Sequence, residues 1–162
     1  MNELLPGNWY VQLTVVVTTG YAMLLGGAIG YERELKNRPA GLRTHMLIAG
    51  AAALLVGLGD LLAERFSGEA YRPLMQLDPL RLIEATVAAV GFLGAGAIFR
   101  REAGDTVEGL TTAASMLMAA AIGLAVGLHN HVLGLGATVL TLFVLRVVAW
   151  IERRRPDERP GR

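Results

Sequence analysis

Five apolar stretches, at about 9–30, 42–62, 81–99, 107–128 and 132–151, are separated by short charged clusters, and this alternation leaves few folds open. A helix rises 1.5 Å per residue, so about 20 mostly apolar residues cross a hydrocarbon layer of about 30 Å. Each stretch meets that length. A soluble helical bundle would need a polar exterior, yet only 18% of the 162 residues are charged and 53% are hydrophobic. Too few polar residues remain to cover such a bundle. The expectation is an all-α membrane protein, a bundle of about five transmembrane helices forming a single domain over 1–155. Residues 156–162 follow as a disordered tail. No cleavable signal peptide is expected, because no Lys or Arg precedes the first apolar run.

The basic residues predict the orientation. Arg33, Lys36, Arg38 and Arg43, then Arg100 and Arg101, then five Arg from Arg153 onward fall on one side of a five-span path. Arg65, Arg72 and Arg81 fall on the other. The N-terminus is therefore expected outside and the C-terminus in the cytoplasm.

The chain also carries an internal echo. Gly27-Ala28-Ile29, a charged turn and Gly41-Leu42-Arg43-Thr44 recur as Gly96-Ala97-Ile98, a charged turn and Gly109-Leu110-Thr111-Thr112. Ala51-Ala52-Ala53 and Ala119-Ala120-Ala121 follow at matching positions. This suggests two parallel-repeat hairpins plus a fifth helix, although Ala and Gly bias raises the similarity of any two membrane helices.

Small residues point to close helix packing. Gly26 with Gly30, and Gly123 with Gly127, form GxxxG faces, and Gly91, Gly94 and Gly96 thin the third helix. Such faces let backbones approach where lipid supplies no hydrophobic drive. They serve either packing within the chain or dimerisation. Gly94 and Gly96 alternatively permit a broken helix lining a cavity.

Two polar groupings are candidate sites. At the cytoplasmic side, Glu32, Arg33, Arg38, Arg43, Thr44, His45, Glu108, Thr111, Thr112 and Ser115 lie near the ends of helices. These residues either snorkel and set topology, or form a network with Arg43, Thr44 and His45 inside the bundle against Glu32 or Glu108. At the outer side, Asp60, Asp78 and Glu84 make an oxygen-rich set suited to a hard cation such as Mg²⁺, or pair with Arg65, Arg72 and Arg81. Cysteine is absent, which excludes disulfides and thiolate chemistry. No nucleophile–base constellation, phosphate loop or metal-histidine spacing stands out, so neither an enzyme nor a cofactor is expected. Nor is a nucleic-acid partner.

Gly26-Gly27-Ala28-Ile29-Gly30-Tyr31-Glu32-Arg33-Glu34, Arg38-Pro39-Ala40-Gly41-Leu42-Arg43-Thr44-His45, Asp78-Pro79-Leu80-Arg81, Gly91-Phe92-Leu93-Gly94-Ala95-Gly96-Ala97-Ile98 and Val107-Glu108-Gly109-Leu110-Thr111-Thr112-Ala113-Ala114-Ser115 together resemble the MgtC/SapB membrane family. The pattern departs at Ala85, Ala89 and Leu117, where the family commonly has Gln, Gly and Trp, and this chain adds Glu84. The soluble C-terminal ACT-like domain of many members is expected to be missing. The resemblance implies a bacterial inner-membrane protein tied to growth under magnesium limitation and, in pathogens, to survival inside macrophages. It also implies a choice between two roles. One is a regulator of another membrane protein such as the F-type ATP synthase. The other is a Mg²⁺ transporter or channel subunit working as a homo-oligomer, for instance a dimer.

Overall fold

The computed structural model describes residues 9–66, 78–100 and 107–154. The loop residues Glu69 and Arg72, the turn at 101–106 and the tail at 156–162 lie outside them. Five helices follow in order: α1 (Trp9–Leu35), α2 (Leu42–Arg65), α3 (Pro79–Ala97), α4 (Leu110–Gly127) and α5 (His131–Arg154). All five are long and apolar enough to cross a membrane. The chain is a multi-pass all-α membrane bundle.

α4 is the centre. It packs against α1, α2, α3 and α5, while α1 and α2 form the most extensive helix pair. The core is built of small and medium side chains: Ala22 and Ile29 of α1, Ala49, Ala52 and Ala53 of α2, and Ala119, Ala120 and Ile122 of α4. Ala and Gly at these positions let three helix axes come close, so dispersion contacts accumulate along the whole seam. α3 and α5 stay peripheral and turn large apolar side chains outward, with Phe92 79% and Val132 87% exposed. Lipid is the solvent that such faces require. Their hydroxyls are satisfied within the helix: Thr86 donates to Leu82 O, Thr138 to Gly134 O and Thr141 to Ala137 O.

The helix ends depart from the boundaries read in the sequence. α1 does not stop near Gly30 but runs to Leu35. It ends in a Schellman motif, in which Arg38 N–H donates to Arg33 O and Asn37 N–H to Glu34 O. Asn37 takes the left-handed position at φ 50°. The charged stretch Glu32-Arg33-Glu34 is thus helical, and only Lys36–Gly41 makes the turn. α4 ends the same way around His129 (φ 60°), with Asn130 N–H donating to Ala125 O.

α3 closes at Ala97, and Val107-Glu108 does not begin α4. Phe99–Arg100 and Val107–Glu108 instead pair as a two-residue antiparallel ladder, Phe99 opposite Glu108. Gly109 then enters α4 at φ 92°, and a Cβ there would collide with the Ala97 carbonyl. Only glycine fits both conditions. Gly41 and Gly109, at equivalent places in the echo, are the N-caps of α2 and α4, yet Gly41 is extended and Gly109 left-handed.

α3 is one continuous helix, so Gly94 and Gly96 do not break it. The GxxxG pairs work inside the chain. Gly26 faces His45 O and Ala49 on α2, Gly30 faces Gly41 O and Leu42, and Gly123 and Gly127 sit against Ala49, Ala52, Ala53 and Val56. Ala49 is therefore gripped from both sides. Gly94 packs on Ala113, whereas Gly91 and Gly96 face open space.

Candidate functional site at the basic end of the bundle

The C-termini of α1, α3 and α5 and the N-termini of α2 and α4 share one end of the bundle, the basic end. Along α1, Leu25, Ile29 and Glu32 recur at helical spacing and share the inward face. Continuing the helix past Gly30 therefore drives a carboxylate into the protein. Glu32 and Arg33 are each only 3% exposed. Arg33 Nε lies 2.6 Å from Glu32 Oε2, and Lys36 Nζ lies 2.6 Å from Oε1. Lys36 also donates to Leu145 O on α5, at 2.9 Å. One buried carboxylate thus holds two cations, and one of those ties α1 to α5. An unpaired carboxylate at this depth would be costly, so the three charges stand or fall together.

Glu34, next along α1, has a different task. Its Oε2 accepts the Leu42 backbone N–H at 2.9 Å, capping α2 where Gly41 offers no side chain. Neither Lys36 nor Glu34 stood among the residues expected to form the network. The spacing of Glu32 and Lys36, four apart with the acid first, was the available signal.

His45 is completely buried. Its ring fits because Gly30 of α1 has no side chain to oppose it. Nδ1 lies 2.9 Å from Gly41 O, and Nε2 lies 2.9 Å from Ser115 Oγ on α4. A carbonyl only accepts, so Nδ1 carries a hydrogen. In the neutral ring, Nε2 then accepts from the Ser115 hydroxyl. In the charged ring, Nε2 donates, and the hydroxyl turns to Thr112 O, 2.8 Å away. The expected polar interior is present, but His45 bonds a serine rather than Glu32 or Glu108.

The remaining residues of that grouping divide. Thr112 and Ser115 are buried, Thr44 and Glu108 are half-buried, and Arg38, Arg43 and Thr111 are exposed. Arg43 does not enter the bundle, since its position on α2 faces away from the Gly30–His45 contact. Arg33, Lys36 and Arg38 together line a cavity of about 700 Å³, closed on the other side by Gly109–Thr112 and by Val144, Leu145 and Val148 of α5.

The opposite end lacks such organisation. Asp60 and Glu84 are exposed. Asp78 caps α3, its Oδ1 accepting Leu80 N–H at 3.0 Å, and its Oδ2 lies 3.8 Å from Arg81 Nε. Among the described residues, no three His, Asp or Glu side chains come together to hold a metal. The proposed trio is not assembled within one chain.

The chain's motifs have counterparts in known proteins. It is 36% identical to Protein SapB of Bacillus subtilis over 152 residues, covering 94% of this chain and 64% of that protein. Putative magnesium transporter YhiD of Escherichia coli K12 is 40% identical over 131 residues, with 78% and 56% covered. Protein MgtC of Brucella abortus is 41% identical over 130 residues, with 79% and 47% covered. The chain thus spans roughly half to two thirds of the length of these relatives. No solved structure matches it. The profile of the MgtC family matches residues 20–154, from the middle of α1 to the end of α5 and across the whole basic end, and the chain belongs to that family.

Proposed function

We propose that this protein is a component of magnesium homeostasis in the bacterial inner membrane, and that it acts by docking on a larger membrane protein. The observation that carries this reading is the closed seam between α1, α2 and α4. Gly26, Gly30, Gly123 and Gly127 bring the helices into direct backbone contact, leaving no room for even a Cβ. A hydrated ion needs a wide polar path, and around Gly123 and Gly127 the seam is filled by the backbone of α2 and by Ala52 and Val56. At the basic end the buried carboxylate, Glu32, is held by Arg33 and Lys36 rather than left open to a passing cation. α3 and α5 meanwhile present broad apolar faces available to a partner helix. An F-type ATP synthase is the partner class that the family resemblance suggests. The magnesium link rests on the name of the YhiD relative and on the same resemblance.

A second reading keeps transport, with the path between two copies of the chain. The open glycines Gly91 and Gly96 on α3 favour it, because they leave space for a second helix. In that arrangement the exposed Asp60 and Glu84 would be the acids available to line the path.

Mg²⁺ flux into proteoliposomes of the purified chain separates the two. The docking reading predicts no flux above empty vesicles and co-purification of a membrane partner. Flux abolished by Asp60→Ala or Glu84→Ala would establish transport instead. Orientation has its own check: with the N-terminus outside, Asn130→Cys reacts with an impermeant thiol reagent on whole cells, and Asn37→Cys does not.

A further inference from the structure

We propose that the cavity at the basic end binds a phosphate-type anion, held between Arg33, Lys36 and Arg38 on one wall and the N-terminus of α4 on the other. The cavity measures about 700 Å³, ample for a phosphate with a small substituent. Its cationic wall comes from a single turn-and-helix segment and is not fully spent on Glu32. Arg33 is more than nine-tenths buried, and its one side-chain bond among the described residues uses Nε. Among the described residues its η nitrogens meet no acceptor, and Arg33 lines the cavity. Arg38 has no carboxylate within ion-pair distance among the described residues. Glu108 also lines the cavity but is already engaged in an interaction of its own.

The facing wall is complementary. α4 starts at Gly109, which has no side chain of its own with which to cap the N–H groups of the first turn. Those groups and the positive end of the helix favour an anion. Guanidinium groups opposite them supply the planar, charge-assisted donors that phosphate oxygens accept.

The third wall is apolar. Val144 and Val148 of α5 line the same space and are themselves exposed. A phosphate carried on a lipid meets both surfaces, its headgroup on the cations and its chain along α5. A soluble phosphate meets only the first. The proposal concerns the phosphate group, holds whether or not the bundle passes ions, and favours the lipid as its source.

The test uses the full chain in neutral detergent. Native mass spectrometry compares uptake of phosphatidylglycerol with phosphatidylcholine, and a parallel titration compares inorganic phosphate with chloride at equal ionic strength. Preferential phosphatidylglycerol binding, weakened roughly tenfold by Arg38→Gln and less than twofold by Arg43→Gln, is the expected result. Arg43 is an exposed cation at the same end but outside the cavity lining. Thr111→Glu, which puts a negative charge on the opposite wall, should reproduce the loss without touching α1. Melting curves confirm that each variant is folded, and either variant alone suffices should the other not fold. Binding of inorganic phosphate without phosphatidylglycerol, with the same variant pattern, keeps the site and makes its ligand soluble. No preference in either comparison overturns the proposal. Equal losses from Arg38→Gln and Arg43→Gln also overturn it, since they reveal diffuse surface charge.

Discussion

The two ends of this bundle carry similar side chains and use them in opposite ways. At the basic end, Glu32, Arg33, Lys36, His45 and Ser115 are drawn inward and bonded across α1, α2, α4 and α5. At the other end, Asp60 and Glu84 remain on the surface, and Asp78 only caps the helix that follows it. Depth along the chain does not explain the difference, because all of these residues lie near helix ends. Helix face does. Glu32 continues the inward stripe of Leu25 and Ile29, and His45 sits where Gly30 leaves a gap. Asp60 and Glu84 fall on outward faces. A charged residue near a membrane interface becomes architecture only when its helix turns it inward and a neighbour makes room.

Several substitutions probe that contrast. Glu32→Gln should have the largest effect, because it leaves the buried Arg33 and the half-buried Lys36 without their counter-charge. We expect a loss of about 3–5 kcal/mol in reversible unfolding in mixed micelles. Gly123→Val comes next, since its side chain would strike the Ala49 carbonyl and force α4 off α2, costing about 2–3 kcal/mol by the same assay. Gly91→Ala, on the open face of α3, should stay within about 0.5 kcal/mol. Ser115→Ala strips His45 Nε2 of its partner and is expected to cost about 1–2 kcal/mol, visible also as a changed imidazole resonance in NMR. At the opposite end, Asp78→Ala should remove only the α3 cap, about 1 kcal/mol. Asp60→Asn and Glu84→Gln should shift the transition by less than about 0.5 kcal/mol. A large loss at Asp60 would break the contrast between the ends.

Much of this was readable from the chain. The apolar runs announced five spans, because a hydrocarbon layer demands long uncharged helices and tolerates little else. The GxxxG pairs announced close packing, and the Gly41–His45 and Gly109–Ser115 stretches pointed to the end that carries the polar interior. What stayed hidden depended on events at single residues. Glu32 looked like part of a turn, because nothing before Asn37 marked the Schellman ending that keeps α1 helical to Leu35. Lys36 was read as a topology signal, since its bond to the Leu145 carbonyl depends on where α5 packs. His45 was expected against a carboxylate. Its partner is a serine 70 positions away, brought there by the packing of α2 on α4. The acids of the opposite end show the limit from the other side. Asp60, Asp78 and Glu84 stand in suggestive order, but whether carboxylates converge depends on helix faces, and within the described residues of one chain these three do not gather.

The measurement closest to the central claim is a double-mutant cycle between Glu32→Gln and Lys36→Met, read by reversible unfolding of the full chain. If Glu32 holds the basic end together through Arg33 and Lys36, the two losses are coupled by more than about 1 kcal/mol, the second substitution costing much less once the first is made. Losses that add within about 0.5 kcal/mol would mean that the two charges act separately, as they would on a surface, and would contradict the account.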